Sequence, residues 1–469
     1  MMRLIEEIVR FGVRRPGYDA DLAVESYLAD QFVDVGLTRV DREPVPVHRW
    51  APSTTWFQLA GSDATIDCAA VPYTAWTCGD GVEAPCVYVG DGQPESFAGK
   101  NLAGKIAVLD LHFADFATGP LKENALAIYD PDGTIPDGVL HVANWLITNF
   151  TVYYEALQRG AVGLVGLLVD APIDGCSYYV PYDGILKDLP AVWIGREHAE
   201  TMRRAAQRGA VARLTSVGQT QTVDSHNVVG WVEGRGDETI LLTCHHDAPF
   251  ASAVEDASGL SVLLAMARMF GASPGTLERH LLFVASSGHF HGGIGNRAFI
   301  TAHQDDWVPK IAAAFGTEHI AREAEPDGRG GYRLTGRPEV RAIFAVKNPT
   351  LTGLIEAGLR RHNLPRTLVV PPYLFGPEPP CDSAPFFTAG IPSACLISGP
   401  LYLFDEFDTI DKVAEVDLAP TASMFADLVR AVDPIAMAEL EVGLTRRRDD
   451  PPAPPPSWFA PPDGLRQDP

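Results

Sequence analysis

Apolar and polar positions follow three different rhythms along the chain. Residues 1–60 read as helix, helix, strand. MMRLIEEIVRFGVRRPG is amphipathic, and LAVESYLADQFVDVG has helical spacing, with Asp19 or Asp21 placed to cap it and Gly36 to close it. From about residue 83, short apolar runs of strand length take over: CVYVG, KIAVLDL, GLVGLLV, AVWIG and ARLTSV. Gly, Pro and Asp break them up, and one helical stretch, NFTVYYEALQRGA, precedes the third. A third rhythm begins at His226. NVVGWVEG, ETILLTCH, RHLLFVASSG, KIAAAFGT and GIPSACLIS are strand-like, SGLSVLLAMARMF is helical, and VDLAPTASMFADLVRAVDPIAMAEL supplies one or two closing helices.

Buried apolar strands alternating with helices predict an α/β fold, with a mostly parallel mixed sheet sandwiched by helices. The middle stretch predicts a β-rich insertion. The expected divisions are 1–82 with 219–444 for a discontinuous α/β domain, 83–218 for the insert, and 445–469 for a Pro-rich, extended or disordered tail.

Composition narrows the function. With 469 residues, 46% of them hydrophobic, the chain can bury a full core. Lys and Arg number 37 against 60 Asp and Glu, a net charge of -23 that repels phosphate backbones and argues against a nucleic-acid partner. Seven scattered cysteines without a CxxC pair predict no disulfide framework and a reducing, cytoplasmic location. Glu6 and Glu7 interrupt the first apolar run, so it does not read as a signal segment. No uncharged run approaches the ~18 residues of a membrane span, so no membrane association is expected. A homo-oligomer remains open.

The candidate chemistry lies just after the strands, where ligands gather in open α/β sheets. His245, His246 and Asp247 follow ILLTC, with Glu255 and Asp256 one loop later. His289 and His291 follow LLFVASSG, and Glu318 and His319 follow IAAAFGT. Cys381, Asp382 and Ser383, then Tyr402, Asp405 and Asp408, surround the last strand. Five of the 13 histidines therefore sit at three strand ends, and with the carboxylates they predict a metal site. No GxSxG elbow surrounds Ser286 and Ser287, which disfavours a serine hydrolase. Cys244 reads as a buried neighbour rather than a nucleophile.

These motifs occur in a familiar order: HxD, a short loop, D-A-S-G opening a helix, a strand followed by GxxxGxxGxRA, a strand ending in an acidic residue, D-S-A-P-F with G-I-P, and a final D-T. The chain resembles the co-catalytic di-zinc aminopeptidase and glutamate carboxypeptidase family over about 225–430, and its opening helices resemble the start of that fold. Residues 83–218, through FAGKNLAGKIAVLDL, ALQRGAVGLVGLL and LPAVWIG, resemble the protease-associated domain inserted in that family.

The resemblance implies site residues position by position. The first metal's ligands match His245, Asp256 as the bridging carboxylate, and Glu318 where the family usually has Asp. Asp247 matches the carboxylate that orients the histidine ligand. The second metal's own ligands, a Glu and a distal His, read Phe290 and Phe404, and the general base reads His289. This pattern implies one divalent ion per chain, with zinc first and manganese or iron(II) open, and with Phe290 and Phe404 in the volume of the other. The expected function is a metal-dependent hydrolase of a specialised amide or peptide-like substrate, with His289 moving the proton. His246, His291 and His319 are rival bases or further ligands, and Asp382, Tyr402 and Asp405 are pocket candidates. Two alternatives accompany this reading. One is an inactive pseudo-peptidase that binds or scaffolds. The other is a rearranged two-metal peptidase, with His289 or His291 replacing the Glu and Asp405 the His, or a lyase-type chemistry on the same scaffold.

Overall fold

In the computed structural model, which describes residues 1–448 and 450, four consecutive neighbours in one sheet carry the functional loops. They are His280–Ser286, Thr239–His245, Ile311–Thr317 and Ser393–Ser398, all mutually parallel. Every residue of Thr239–His245 and of Ile311–Thr317 is buried. Parallel strands are covered on both faces, which is why these segments read as unbroken apolar runs. Ile240 and Leu242 face the larger core, built with helices Gly259–Gly271 and Glu415–Val432. Leu241 and Leu282 face the opposite way, against Phe299 and Phe386 from helices Ile294–Ala302 and Ala384–Thr388. The α/β sandwich expected from the rhythm is thus present.

The sheet continues past both edges of this core. Arg341–Ala345 adds antiparallel to Ser393–Ser398, followed by Thr367–Val370. On the other side the long strand Val211–Val232 pairs with His280–Ser286 at one end and with Val82–Tyr88 at the other, leading into Ile106–Leu111, Gly163–Leu168 and Ala191–Gly195. The 22-residue strand Thr38–Leu59 runs antiparallel along it.

The middle of the chain packs against the main sheet in two places. Strands Phe113–Ala117 and Val139–Ile147 form a hairpin, and within that excursion Ala127–Tyr129 pairs with Thr367–Val370 at the far edge of the main sheet. Leu121 and Ile135 pack there with Val340, Phe344 and Leu368. A second excursion returns over the strand ends, where Tyr179 donates its N–H to the Phe404 carbonyl.

Helix Asp19–Asp34 forms as expected, but neither expected aspartate caps it. Tyr18 holds the cap position, and the Asp21 carboxylate accepts from the Gly17 N–H at 2.8 Å. Among the described residues no helix is long and apolar enough to cross a membrane. Trp458, Phe459 and most of the Pro-rich tail lie outside the described residues.

Candidate metal centre

His245 is the last residue of its strand and is fully buried. Its Nδ1 lies 3.0 Å from the Asp247 backbone carbonyl, an acceptor that keeps the proton on Nδ1 and turns the Nε2 lone pair inward. The orienting group is therefore the carbonyl of Asp247. Its carboxylate stands 3.7 Å from His245 Nδ1 and instead accepts the N–H groups of His289 (3.1 Å) and Phe290 (2.7 Å). Asp247 thus ties the first strand-end loop to the second.

The ligating atoms of His245, Asp256, Glu318 and His319 lie within 4.8 Å of one another, so the three residues expected for the first metal meet, and His319 joins them. Asp256, however, is already engaged. Its Oδ1 accepts from the N–H groups of Gly259 and His319 at 3.0 and 3.1 Å, and its Oδ2 lies 3.2 Å from the Cys244 thiol. The carboxylate set between the two imidazoles belongs to Glu255, with Oε1 3.0 Å from His245 Nε2 and Oε2 2.5 Å from His319 Nε2. The sequence reading gave the bridging position to Asp256. An E-D pair ahead of A-S-G offers two carboxylates, and only the backbone path decides which one turns inward.

Despite those short approaches, His245 Nε2, His319 Nε2 and both Glu255 oxygens make no well-directed hydrogen bond, and neither do Glu318 Oε2 and Asp382 Oδ2. Each buried polar atom left unsatisfied costs about 1–3 kcal/mol. Six such atoms, mixing imidazole nitrogen with carboxylate oxygen, are the donor set a divalent cation satisfies.

The charges respond to this crowding. Burial works against the His319 imidazolium, but Glu255 and Asp256 more than offset it and hold its pKa up to about 10. Burial opposes ionised Glu255 as well, yet His319 and His245 keep it well below the usual carboxylate range. Burial, with Asp382 beside it, pushes Glu318 up to about 7. Its Oε1 accepts from the Asp382 N–H at 2.7 Å and from Cys395 Sγ at 3.1 Å.

His289 is less enclosed than its partners, its side chain 16% exposed. Its ring stacks on His245 at 4.0 Å, with Tyr182 near-parallel at 6.1 Å. Its Nδ1 meets Asp382 Oδ1 at 3.2 Å. Phe290 and Phe404 meet ring to ring at 5.0 Å, and Phe290 is 6.1 Å from the His245 ring. Both are buried.

Four candidates stand elsewhere. His246 points to the opposite side, with Nδ1 2.9 Å from Asp21 and Nε2 2.9 Å from the His226 carbonyl. Burial resists its charge, but Asp21 raises its pKa to about 9, and the two form an ion pair away from the His245 centre. His291 accepts the His48 N–H on Nε2 at 2.9 Å, and burial beside His48 drops its pKa to about 4. The Tyr402 hydroxyl donates to the Arg322 carbonyl, and Asp405 accepts from the Tyr332 hydroxyl at 2.6 Å. His291 and Asp405 thus do not supply the ligands of a rearranged two-metal site. Their partners lie on neighbouring loops and helices that a one-dimensional pattern does not reveal.

Asp408 was legible as a polar residue near the last strand and as part of a terminal D-T, but not in its role. Its carboxylate accepts the N–H groups of Ala253 (3.3 Å), Val254 (2.8 Å) and Glu255 (2.8 Å), fixing the loop that presents Glu255. Two glycines also act through space. Gly292 takes a positive φ of 75°, as a tight turn requires. Gly295 does not, and a Cβ there would run into the Ser287 carbonyl.

Comparison with known proteins agrees with this geometry. The family model for Peptidase family M28 matches residues 227–343. No curated protein matches the chain in sequence. Among solved structures, a zinc aminopeptidase from Bacillus subtilis superposes with a TM-score of 0.68 at 18% identity, covering 93% of this chain and 95% of its own. An aminopeptidase from an Aneurinibacillus species gives 0.62 at 20% identity, covering 92% and 93%. A Peptidase M28 precursor from Shewanella amazonensis gives 0.67 at 19% identity, covering 92% of each. The chain therefore has the zinc-aminopeptidase fold, and the segment 227–343 that matches the Peptidase family M28 model carries most of its buried His and carboxylate cluster.

Proposed function

We propose that the protein is a metal-dependent hydrolase that cleaves an amide bond in a peptide-like substrate. In this reading one divalent ion, zinc first, is held by His245 Nε2, Glu255, Glu318 Oε2 and His319 Nε2. The observation that carries it is the cluster of buried His and carboxylate atoms that no well-directed hydrogen bond satisfies, with the Phe290–Phe404 aromatic pair beside it.

A bound divalent ion supplies Lewis acidity and lowers the pKa of water. The chain's own residues do the rest. Asp247 and Asp408 fix the loops that present His289 and Glu255. Asp382 accepts from His289 Nδ1–H and leaves Nε2 to take a proton and return it to the leaving nitrogen. Phe290 and Phe404 exclude water from one flank and present an apolar wall to the group beside the scissile bond.

The test is a panel of N-blocked and free peptide amides, assayed with the zinc, manganese and iron(II) forms and after chelation. Metal-dependent turnover of at least one class, abolished in His245→Ala, is the expected result. Stoichiometric metal with no turnover of any amide would favour the pseudo-peptidase. No metal after reconstitution would remove the hydrolase reading altogether.

A further inference from the structure

Glu318 has a second set of neighbours, two cysteines. Cys395 lies in the adjacent strand, paired in register with Gly316, and Cys381 lies on the loop that enters helix Ala384–Thr388. The ligating atoms of Glu318, Cys381 and Cys395 are all buried and lie within 4.8 Å of one another. Cys395 Sγ is 3.1 Å from Glu318 Oε1, and Cys381 Sγ is 3.3 Å from the Ser383 hydroxyl. All seven cysteines are free thiols, so neither is committed to a disulfide.

We propose that Glu318, Cys381 and Cys395 form a second cation site for a thiolate-seeking divalent metal such as zinc, with Glu318 as the carboxylate shared with the His245 centre. The inference rests on the metal-binding reading of that centre and adds an ion outside the pair of positions that Phe290 and Phe404 fill.

Three features support it. The first is donor chemistry. Two thiolates and a carboxylate are a zinc-type set, and the Ser383 hydroxyl lies 3.3 Å from Cys381 Sγ. The second is space and rigidity. A Cβ at Gly316 would come within 2.6 Å of Cys395 Sγ, so the glycine leaves the sulfur room, and the three donors sit on three different elements held by the sheet. The third is charge. Four buried carboxylates, Glu255, Asp256, Glu318 and Asp382, crowd one volume. A dication entering with loss of two thiol protons adds no net charge there, whereas an ionised thiol alone would add to the repulsion. Glu318 is one methylene longer than aspartate, which gives its two oxygens the reach to serve both sides.

Cobalt(II) titration of the reduced, metal-stripped full chain tests the proposal, because thiolate ligation gives a near-ultraviolet charge-transfer band that nitrogen and oxygen ligation does not. The wild type is expected to take up about two cobalt ions per chain and to show the band. Cys381→Ser with Cys395→Ser is expected to take up about one and lose the band, and His245→Ala to keep the band while losing the other ion. Visible d–d bands without the charge-transfer band in the wild type would overturn the thiolate site and leave the His245 centre standing. A band that survives the double serine variant but disappears in Cys244→Ser would also overturn it. Absence of any cobalt signal in the wild type would overturn the thiolate site and the metal reading of the His245 centre together. If the double variant does not fold, the wild-type spectrum and the single Cys381→Ser variant decide.

Discussion

A single buried carboxylate, Glu255, lies between two imidazoles, those of His245 and His319. Removing its charge removes the anion that a cation between His245 and His319 needs. Glu255→Gln is expected to weaken metal binding by at least about tenfold, read by competition with a chromogenic chelator. Asp256→Asn should affect folding more than affinity, because that carboxylate accepts from the helix start and from His319. Equal losses of affinity in the two variants would return the bridging role to Asp256. His289 acts at the same scale. His289→Ala is expected to lower kcat by about 10²–10⁴-fold with little change in KM, the signature of a proton carrier. A change confined to KM would make it a binding residue.

Elements decide how these side chains meet. Helix Gly259–Gly271 begins against the strand Ile311–Thr317, and a Cβ at Gly259 would strike the Thr317 carbonyl, one residue before Glu318. Gly259→Ala is therefore expected to cost about 1–3 kcal/mol, measured by denaturant unfolding. A neutral effect would show that helix and strand can separate freely. The aromatic pair belongs to this scale too. Phe290 follows one strand, Phe404 follows another, and Tyr182 arrives from the segment after Gly163–Leu168 to lie 5.1 Å from Phe404. The wall beside the centre is thus assembled from three distant stretches of chain.

Across the whole molecule, the middle third of the chain is tied to the core by buried polar contacts. Tyr178 forms an isolated antiparallel bridge with Asp405, whose carboxyl accepts from Tyr332. Burial raises the Asp405 pKa to about 8. Its folded pKa lies above the unfolded value of about 3.9. The folded state therefore holds the extra proton, and stability from this group declines as pH rises from about 4 through about 8. Asp405→Asn, which still accepts from Tyr332, is expected to flatten that part of the thermal-midpoint profile. An unchanged slope would place the pH dependence elsewhere.

Much of this was legible in one dimension. Unbroken apolar runs marked the parallel strands, because strands covered on both faces admit no alternation. The positions after those strands marked the chemistry, because parallel strands bring their carboxyl ends to one edge. His245, Glu318 and His289 were picked out in that way, and the two phenylalanines only through the resemblance to the aminopeptidase family. Only the tertiary structure separated Glu255 from Asp256 and His319 from His246 and His291. Adjacent residues point to opposite sides of a chain, and which side faces the centre depends on the loop path that Asp408 holds. It alone also carried the middle of the chain to the far edge of the sheet and brought two cysteines to Glu318. Contacts between residues far apart in sequence leave no local periodicity to read.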